Sequence, residues 1–215
     1  MDFLRLEYDI QHHLVLSRKN CYDHALIRLI LSTLAEPVEI ANLSKKDFKS
    51  KKGIFMVYLS GGKSRVSPVD EETFRMIEAI DKEKPFELEE RDMDEIISKY
   101  SPKDRKYTAR SLRKAMIRFL KDASLFDLEF EKLSLEKLRD FMEDFNPLYS
   151  GSWLDEEGLR EFVLNYSVVN KVVDPFKISE ETGLDQTFVS EVIRTGKSLF
   201  SYIGKFEAKN LSFEE

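Results

Sequence analysis

Of the 215 residues, one is cysteine, one is tryptophan, six are proline and eight are glycine. The lone thiol, Cys21, leaves no intramolecular disulfide to form, so the fold rests on packing and an oxidising compartment is not implied. So little glycine and proline excludes a collagenous or mucin-like chain, and 16 phenylalanines supply more apolar area than a disordered chain carries. No apolar run approaches the roughly 18 residues a membrane span needs. The opening stretch Met1-Asp2-Phe3-Leu4-Arg5-Leu6-Glu7-Tyr8-Asp9 is too charged for a signal peptide, so a cytoplasmic protein without membrane contact is the expectation. Three histidines, His12-His13 and His24, give no ligand spacing with the single cysteine. They read as packing or surface residues, and no metal and no cofactor is expected.

What the chain does have is a 42% hydrophobic content, 34% charged residues and a net charge of −6, in a length that suits one or two domains. The charge is unevenly placed. Ser44 to Arg65 carries seven cations against Asp47 alone, and Lys103 to Arg118 seven against Asp104 alone. Each stretch is therefore +6 and the remainder about −18, so local field rather than the sum decides what polyanion can approach.

Leu26, Leu29, Ile30 and Leu34 recur at helical spacing and predict a core-facing helix from Cys21 to Leu34. Pro37 fits the first turn of a shorter helix through Leu43. The β-rich run Ile54-Phe55-Met56-Val57-Tyr58-Leu59, the pair Gly61-Gly62 and then Arg65-Val66-Ser67 predict a hairpin, the one sheet expected. Asp70 caps a helix through about Ile80, and Glu83 to Asp94 reads as an exposed acidic connection. Thr108 or Ser111 opens a basic helix carrying Leu112, Met116, Phe119 and Leu120. Leu135, Leu138, Phe141, Met142 and Phe145 form the stripe of another helix, which Pro147 ends. Glycines around Trp153 suggest a boundary that gives domains 1–150 and 151–215. The fold class is mainly α with one small antiparallel β-hairpin inserted early.

Gly61-Gly62-Lys63-Ser64 looks like the tail of a phosphate-binding loop, but that motif needs a glycine where Val57 stands and a helix afterwards. A strand and Pro68 follow instead. Glu89-Glu90 and Glu156-Glu157 lie in charged stretches and read as solvated faces.

Three segments in order carry a family resemblance: Thr33-Leu34-Ala35-Glu36 leading through Glu39 to Phe48, the hairpin with Lys63, Arg65 and Pro68, and Arg110-Ser111-Leu112-Arg113-Lys114 opening a helix. Over roughly residues 20 to 125 this resembles the catalytic domain of tyrosine recombinases, whose segments read T-G-L-R, a lysine-bearing hairpin turn followed by proline, and H-x-L-R-H. The resemblance implies a recombinase-like helical domain at 1–150 and a DNA partner. On that pattern the first arginine falls on Glu36, the hairpin lysine near Ser60 with Lys63 two positions on, and the histidine on Arg110. Arg113 alone keeps the family's residue. Two guanidinium forks clamp the phosphate in that chemistry, and a carboxylate in place of one would repel it. The catalytic candidates are therefore Arg113, Arg110, Lys63, Tyr149 and Tyr202, with Tyr149 the nearest fit to the nucleophile and Tyr166 an intermediate position. None of the tyrosines sits in the family's sequence context.

Ile178-Ser179-Glu180-Glu181-Thr182-Gly183-Leu184, followed by Val189 and Val192, matches helix-turn-helix spacing, with Gly183 at the turn. Its second helix would present Gln186, Thr187, Ser190 and Arg194 to base edges. Asp185 and Glu191 on the same helix predict weak binding by this unit alone.

The expectation is a double-stranded DNA-binding protein that resembles a tyrosine recombinase without strand-cleavage chemistry. Lys45, Lys46, Lys49, Lys51, Lys52, Lys63, Arg65, Arg110, Arg113, Lys114 and Arg118 would supply its phosphate contacts. Two alternatives stay open. One is an active breaking and rejoining enzyme using Arg110, Arg113 and Tyr149 or Tyr202. The other is a protein-interaction module in which the acidic stretches Glu83 to Glu95 and Asp127 to Asp144 meet a basic protein partner. A homo-oligomer also stays open.

Overall fold

A computed structural model describes residues 3–51, 53–61, 64–125 and 129–196. It is mainly helical with a small antiparallel sheet, and it divides into compact units at Met1–Asp155 and Glu156–Glu215.

The first unit is built around α2 (Cys21–Thr33), which packs against α1 (Phe3–Ser17) on one side. Asn20 caps α2 by accepting from the backbone of Tyr22 and Asp23 at 3.0 and 3.1 Å. Eleven of its residues are buried, so it is enclosed on all faces, and even Arg28 and Asp23 lie inside. Leu6, Ile10 and Leu14 of α1, spaced four apart, join the same core.

After α2 the chain turns at Leu34, whose φ of 54° and ψ of 36° are left-handed, and whose N–H closes on the Ile30 carbonyl at 2.9 Å. A leucine accepts that conformation because its side chain is buried in the core. The short helix α3 (Pro37–Ala41) follows, with Pro37 in its first turn.

The sheet holds three strands, β1 (Phe48–Lys51), β2 (Ile54–Leu59) and β3 (Arg65–Pro68), in the order β1-β2-β3. In the antiparallel register Phe48 faces Val57 and Val57 faces Ser67, and all three are buried. The hairpin read from sequence is thus two strands, β2 and β3, of a three-stranded sheet in which β2 is central. β1 escaped notice because an edge strand of this kind buries only Phe48, and its lysines guard an open edge against further pairing.

Gly61 follows β2 with a φ of 126°, a conformation open to glycine alone. A Cβ there would lie 2.9 Å from the Val38 carbonyl oxygen and 2.9 Å from the Asn42 amide nitrogen. Gly61→Ala should therefore lose about 1–3 kcal/mol by chemical denaturation, from strain and a backbone clash together. Gly151→Ala, with positive φ but open space around it, should lose about 1 kcal/mol or less. Equal losses would show that the close approach to α3 contributes nothing.

Asp70 caps α4 (Glu71–Ala79) by accepting from Thr73 N at 3.0 Å. The acidic connection is shorter than the sequence suggests, since Glu90 already opens α5 (Glu90–Lys99), which buries Met93 and Ile97. Its acidic residues belong to a helix start, where carboxylates meet the positive end of the dipole. α6 (Ala109–Ser124) is capped by Thr108 and buries Leu112, Met116, Phe119 and Leu120. α7 (Leu135–Phe145) ends at Asn146, and Pro147 opens the short α8 (Pro147–Ser150) rather than merely stopping its predecessor. Trp153 packs within this first unit, its ring 5.1 Å from Phe119 and its indole N–H donating to Glu7 at 3.0 Å.

The second unit contains α9 (Glu156–Asn170), α10 (Pro175–Thr182) and α11, helical over 186–196. Gly183, with a φ of 77°, closes α10, and Asp185 receives the Phe188 N–H at 2.9 Å as α11 begins. Ile178, Val189, Val192 and Ile193 are buried in this unit.

Candidate nucleic-acid interface

The Leu34 turn leaves the last carbonyls of α2 facing two arginines that are far apart in sequence. Arg65 of β3 donates to Leu34 O at 2.9 Å, and Arg113 of α6 donates through Nε to the same oxygen at 2.7 Å. Ser67 adds a hydroxyl to Thr33 O at 3.0 Å. Cations suit this place because helix C-termini carry partial negative charge. Both are also neutralised by carboxylates. Arg65 makes a paired contact with Glu39 at 3.1 and 3.0 Å, and Arg113 Nη1 lies 2.8 Å from Glu36 Oε1.

Glu36 therefore does more than stand where the recombinase pattern has arginine. It takes one edge of the Arg113 fork, while the Leu34 carbonyl takes Nε. Arg113 is 9% exposed, and Glu36 beside it is half-buried. Arg110 is exposed and bound through two nitrogens to Glu90 on α5, and this contact pulls the Glu90 carboxyl below its ordinary pKa. The two arginines are held by different carboxylates and form no common fork.

Tyr149 is also engaged, with its hydroxyl donating to Ser32 O at 3.3 Å. Burial raises its phenol well above the usual tyrosine range, so it is a neutral hydroxyl at physiological pH. Tyr166 is buried and hydrogen-bonded to Glu181. Tyr202, Lys63 and Lys52 lie outside the described residues.

The remaining basic positions fall into two surfaces. Lys46, Lys49 and Lys51 are exposed around the edge strand β1, while Lys45 donates to the Glu78 carbonyl at 2.8 Å. The second surface is a groove of about 500 Å³ between α1 and α6. Arg105, Lys106, Lys114 and Arg118 line it with Tyr107 and Ser111, over an apolar floor of Leu6 and Ala115. No carboxylate is among these lining residues. Arg105 reaches the buried Asp9 at 3.2 Å and Arg118 lies 3.5 Å from Asp122, whereas Lys114 is exposed. Arg105 and Lys106 were absent from the sequence-derived contact set. The groove needs α1 as its second wall, and the four-residue spacing of Leu6, Ile10 and Leu14 is the signal that could have revealed it.

In the second unit Gln186, Thr187 and Arg194 are exposed on α11. Ser190 spends its hydroxyl on the Gln186 carbonyl at 2.7 Å. Glu191 pairs with Arg160 at 2.9 Å, which lowers the pKa of its carboxyl.

No protein-family model matches the sequence. Among solved structures, the XerH site-specific recombinase bound to palindromic difH substrate, in a post-cleavage complex, matches with a TM-score of 0.45 and 15% identity over 72% of this chain and 52% of that one. XerA recombinase matches with a TM-score of 0.43 and 15% identity, over 77% of this chain and 64% of that one. The chain thus spans about half of the XerH chain and under two thirds of the XerA chain. A protein of Archaeoglobus fulgidus, described as uncharacterized, is 50% identical over 204 residues, which cover 92% of this chain and 95% of that one. With half of the aligned residues shared along nearly the full length of both sequences, the chain belongs to the same family as the Archaeoglobus fulgidus protein.

Proposed function

We propose that this protein binds duplex DNA through phosphate contacts and does not cut it. One observation carries the proposal: four cations line a single groove whose described lining residues include no carboxylate, although Arg105 and Arg118 also pair with Asp9 and Asp122. Such a surface keeps a positive local field in a chain whose net charge is −6. Lys114 and Arg118, one helical turn apart on α6, can track a phosphate strand, and Tyr107 and Ser111 offer neutral polar contacts beside them. Lys46, Lys49 and Lys51 add a second basic edge. In the second unit, Gln186, Thr187 and Arg194 are the groups available to a groove of DNA.

The same geometry supports the reading that the protein does not cleave. Arg113 is held by Glu36 and a carbonyl, Arg110 by Glu90, and the Tyr149 hydroxyl by Ser32. Releasing the two arginines for in-line attack on phosphorus would leave Glu36 and Glu90 without their counter-charges, and carboxylates near the same phosphate oppose the transition state.

The test is affinity for duplex DNA measured across salt. Log affinity should fall linearly with log salt, and Lys114→Ala with Arg118→Ala should flatten the slope by about two units, near 0.9 per lost phosphate contact. A nicked suicide duplex should give no covalent adduct with wild type or with Tyr149→Phe. An affinity independent of salt, or an adduct that Tyr149→Phe abolishes, overturns the proposal.

A further inference from the structure

A second pocket, of about 340 Å³, opens in the first unit beside α2 and away from the α6 groove. Arg18, His24, Arg28, Glu72, Ser150 and Asp155 are among its lining residues. Arg28 is the notable member. It is 1% exposed, with Nε donating to Thr73 Oγ1 at 3.0 Å and Nη2 to Asp70 Oδ1 at 2.6 Å. Its Nη1 is buried and makes no hydrogen bond among the described residues, although Glu72 Oε2 lies 2.8 Å away. The Glu72 contact is therefore a charge contact without donor alignment, and Glu72 itself is 64% exposed and can swing into solvent. A buried guanidinium N–H without an acceptor is unfavourable, and an aligned oxyanion would relieve it.

Other groups around the pocket point to the same chemistry. Arg18 is exposed at its rim, and His24 stands between the two arginines with its Nδ1 2.8 Å from Ser17 Oγ. The charges facing His24 are Arg18, Arg28 on its own helix and Asp70 at the start of α4. Burial, then Arg28 and Arg18, push its pKa down to about 4, so the ring is neutral at pH 7, while Glu72 and Asp155 are the carboxylates that line the same pocket. Nothing the α6 groove does requires this arrangement.

We infer that this pocket binds a small divalent oxyanion of the phosphate type, held by Arg28 Nη1 and Arg18 against His24. Divalent charge matters because Glu72 already supplies one negative charge, and a ligand that displaces it must offer more charge and more acceptor oxygens. The volume suits a phosphate or a small phosphomonoester, at the lower end of ligand-sized cavities. The same chemistry could come from free phosphate or from phosphate on a nucleic acid, and the proposal commits to the small free ion.

The experiment is NMR of the His24 ring in the full chain, titrated with inorganic phosphate, with chloride at matched ionic strength, and with duplex DNA. Phosphate should shift the ring resonances saturably and raise the His24 pKa from about 4, since a bound anion stabilises imidazolium. Arg18→Gln, at an exposed position, should weaken phosphate binding about tenfold through loss of a charge-assisted contact. Glu72→Gln should strengthen it by removing the competing carboxylate. No saturable shift, an equal shift with chloride, a response to DNA but not to phosphate, or phosphate binding indifferent to both substitutions would each overturn the inference. Because the readout is His24 rather than DNA affinity, it can fail while the DNA-binding proposal stands, and the reverse.

Discussion

Arg28→Met should destabilise the protein by about 3–5 kcal/mol, a large share of the roughly 5–15 kcal/mol that keeps such a domain folded. Methionine fills much of the hydrocarbon volume, so the loss is electrostatic rather than a cavity. Arg28 and Asp70 side chains are 2% and 4% exposed, and their 2.6 Å contact is the main compensation for burying the Asp70 charge. Asp70 keeps the Thr73 N–H as helix cap, and its own N–H donates to Ser32 Oγ at 3.0 Å, so the carboxylate stays in place while its counter-ion is gone. Asp70→Asn on the Arg28→Met background should recover about 1–3 kcal/mol, because asparagine still caps α4 and no longer needs a counter-charge. Urea unfolding at pH 7 reads both steps. A single-variant loss below about 1 kcal/mol, or no recovery in the double variant, would show that this buried pair is not what ties α2 to α4.

How much of this could be read from the sequence depends on where the compensating partner lies. α2 was legible from the spacing of its apolar residues, and α4 and α6 because their caps, Asp70 and Thr108, and their apolar residues sit within one local window. α1 was not, since Asp9, Gln11, His12 and His13 interrupt the apolar pattern that would mark a helix. All four are buried, and their partners come from far along the chain. Tyr107 and Arg105 hold Asp9, the Trp153 carbonyl takes Gln11, and the Tyr100 carbonyl takes His12. Only the folded chain turns these polar residues into interior ones.

The candidate site divides in the same way. Its arginines could be found from residue type and spacing, and Arg65 and Arg113 do meet, at the Leu34 carbonyl. Their neutralisation by Glu39 and Glu36 depends on the left-handed turn at Leu34, which brings the start of α3 back towards them. A leucine at that position gives no sequence signal for positive φ. The groove lined by Arg105 and Lys106 needed α1 as a wall, so it was hidden for the reason α1 was.

Between pH 7 and pH 5 the protein should lose about 4 kcal/mol of stability, from two histidines that the fold keeps neutral. Burial lowers the pKa of His13 to about 3 and that of His24 to about 4, from 6.5 in an unfolded chain. At pH 7 both states are largely neutral at these sites and the difference vanishes. As pH falls below 6.5 the unfolded chain takes up protons that the native rings refuse, so stability declines with pH until the folded values are reached. Each ring then contributes about 2 kcal/mol at pH 5, and His12, whose pKa burial also lowers, acts in the same direction. The geometry explains the refusal. His13 Nδ1 donates to the Asp9 carbonyl at 2.6 Å, and its other nitrogen faces Ser101 Oγ at 3.3 Å, so a second proton would need an acceptor that the serine offers only weakly. The Arg110 contact holds the Glu90 carboxyl below the usual carboxylate range, which separates its window from that of the histidines. Urea midpoints taken at half-unit steps from pH 7.5 to 5 should fall with a slope approaching two to three protons, and His24→Gln should flatten it by about one. A midpoint unchanged between pH 7 and 5 would mean that these rings accept protons in the native state, and that the interior around α1 and α2 opens to water far more readily than its packing implies.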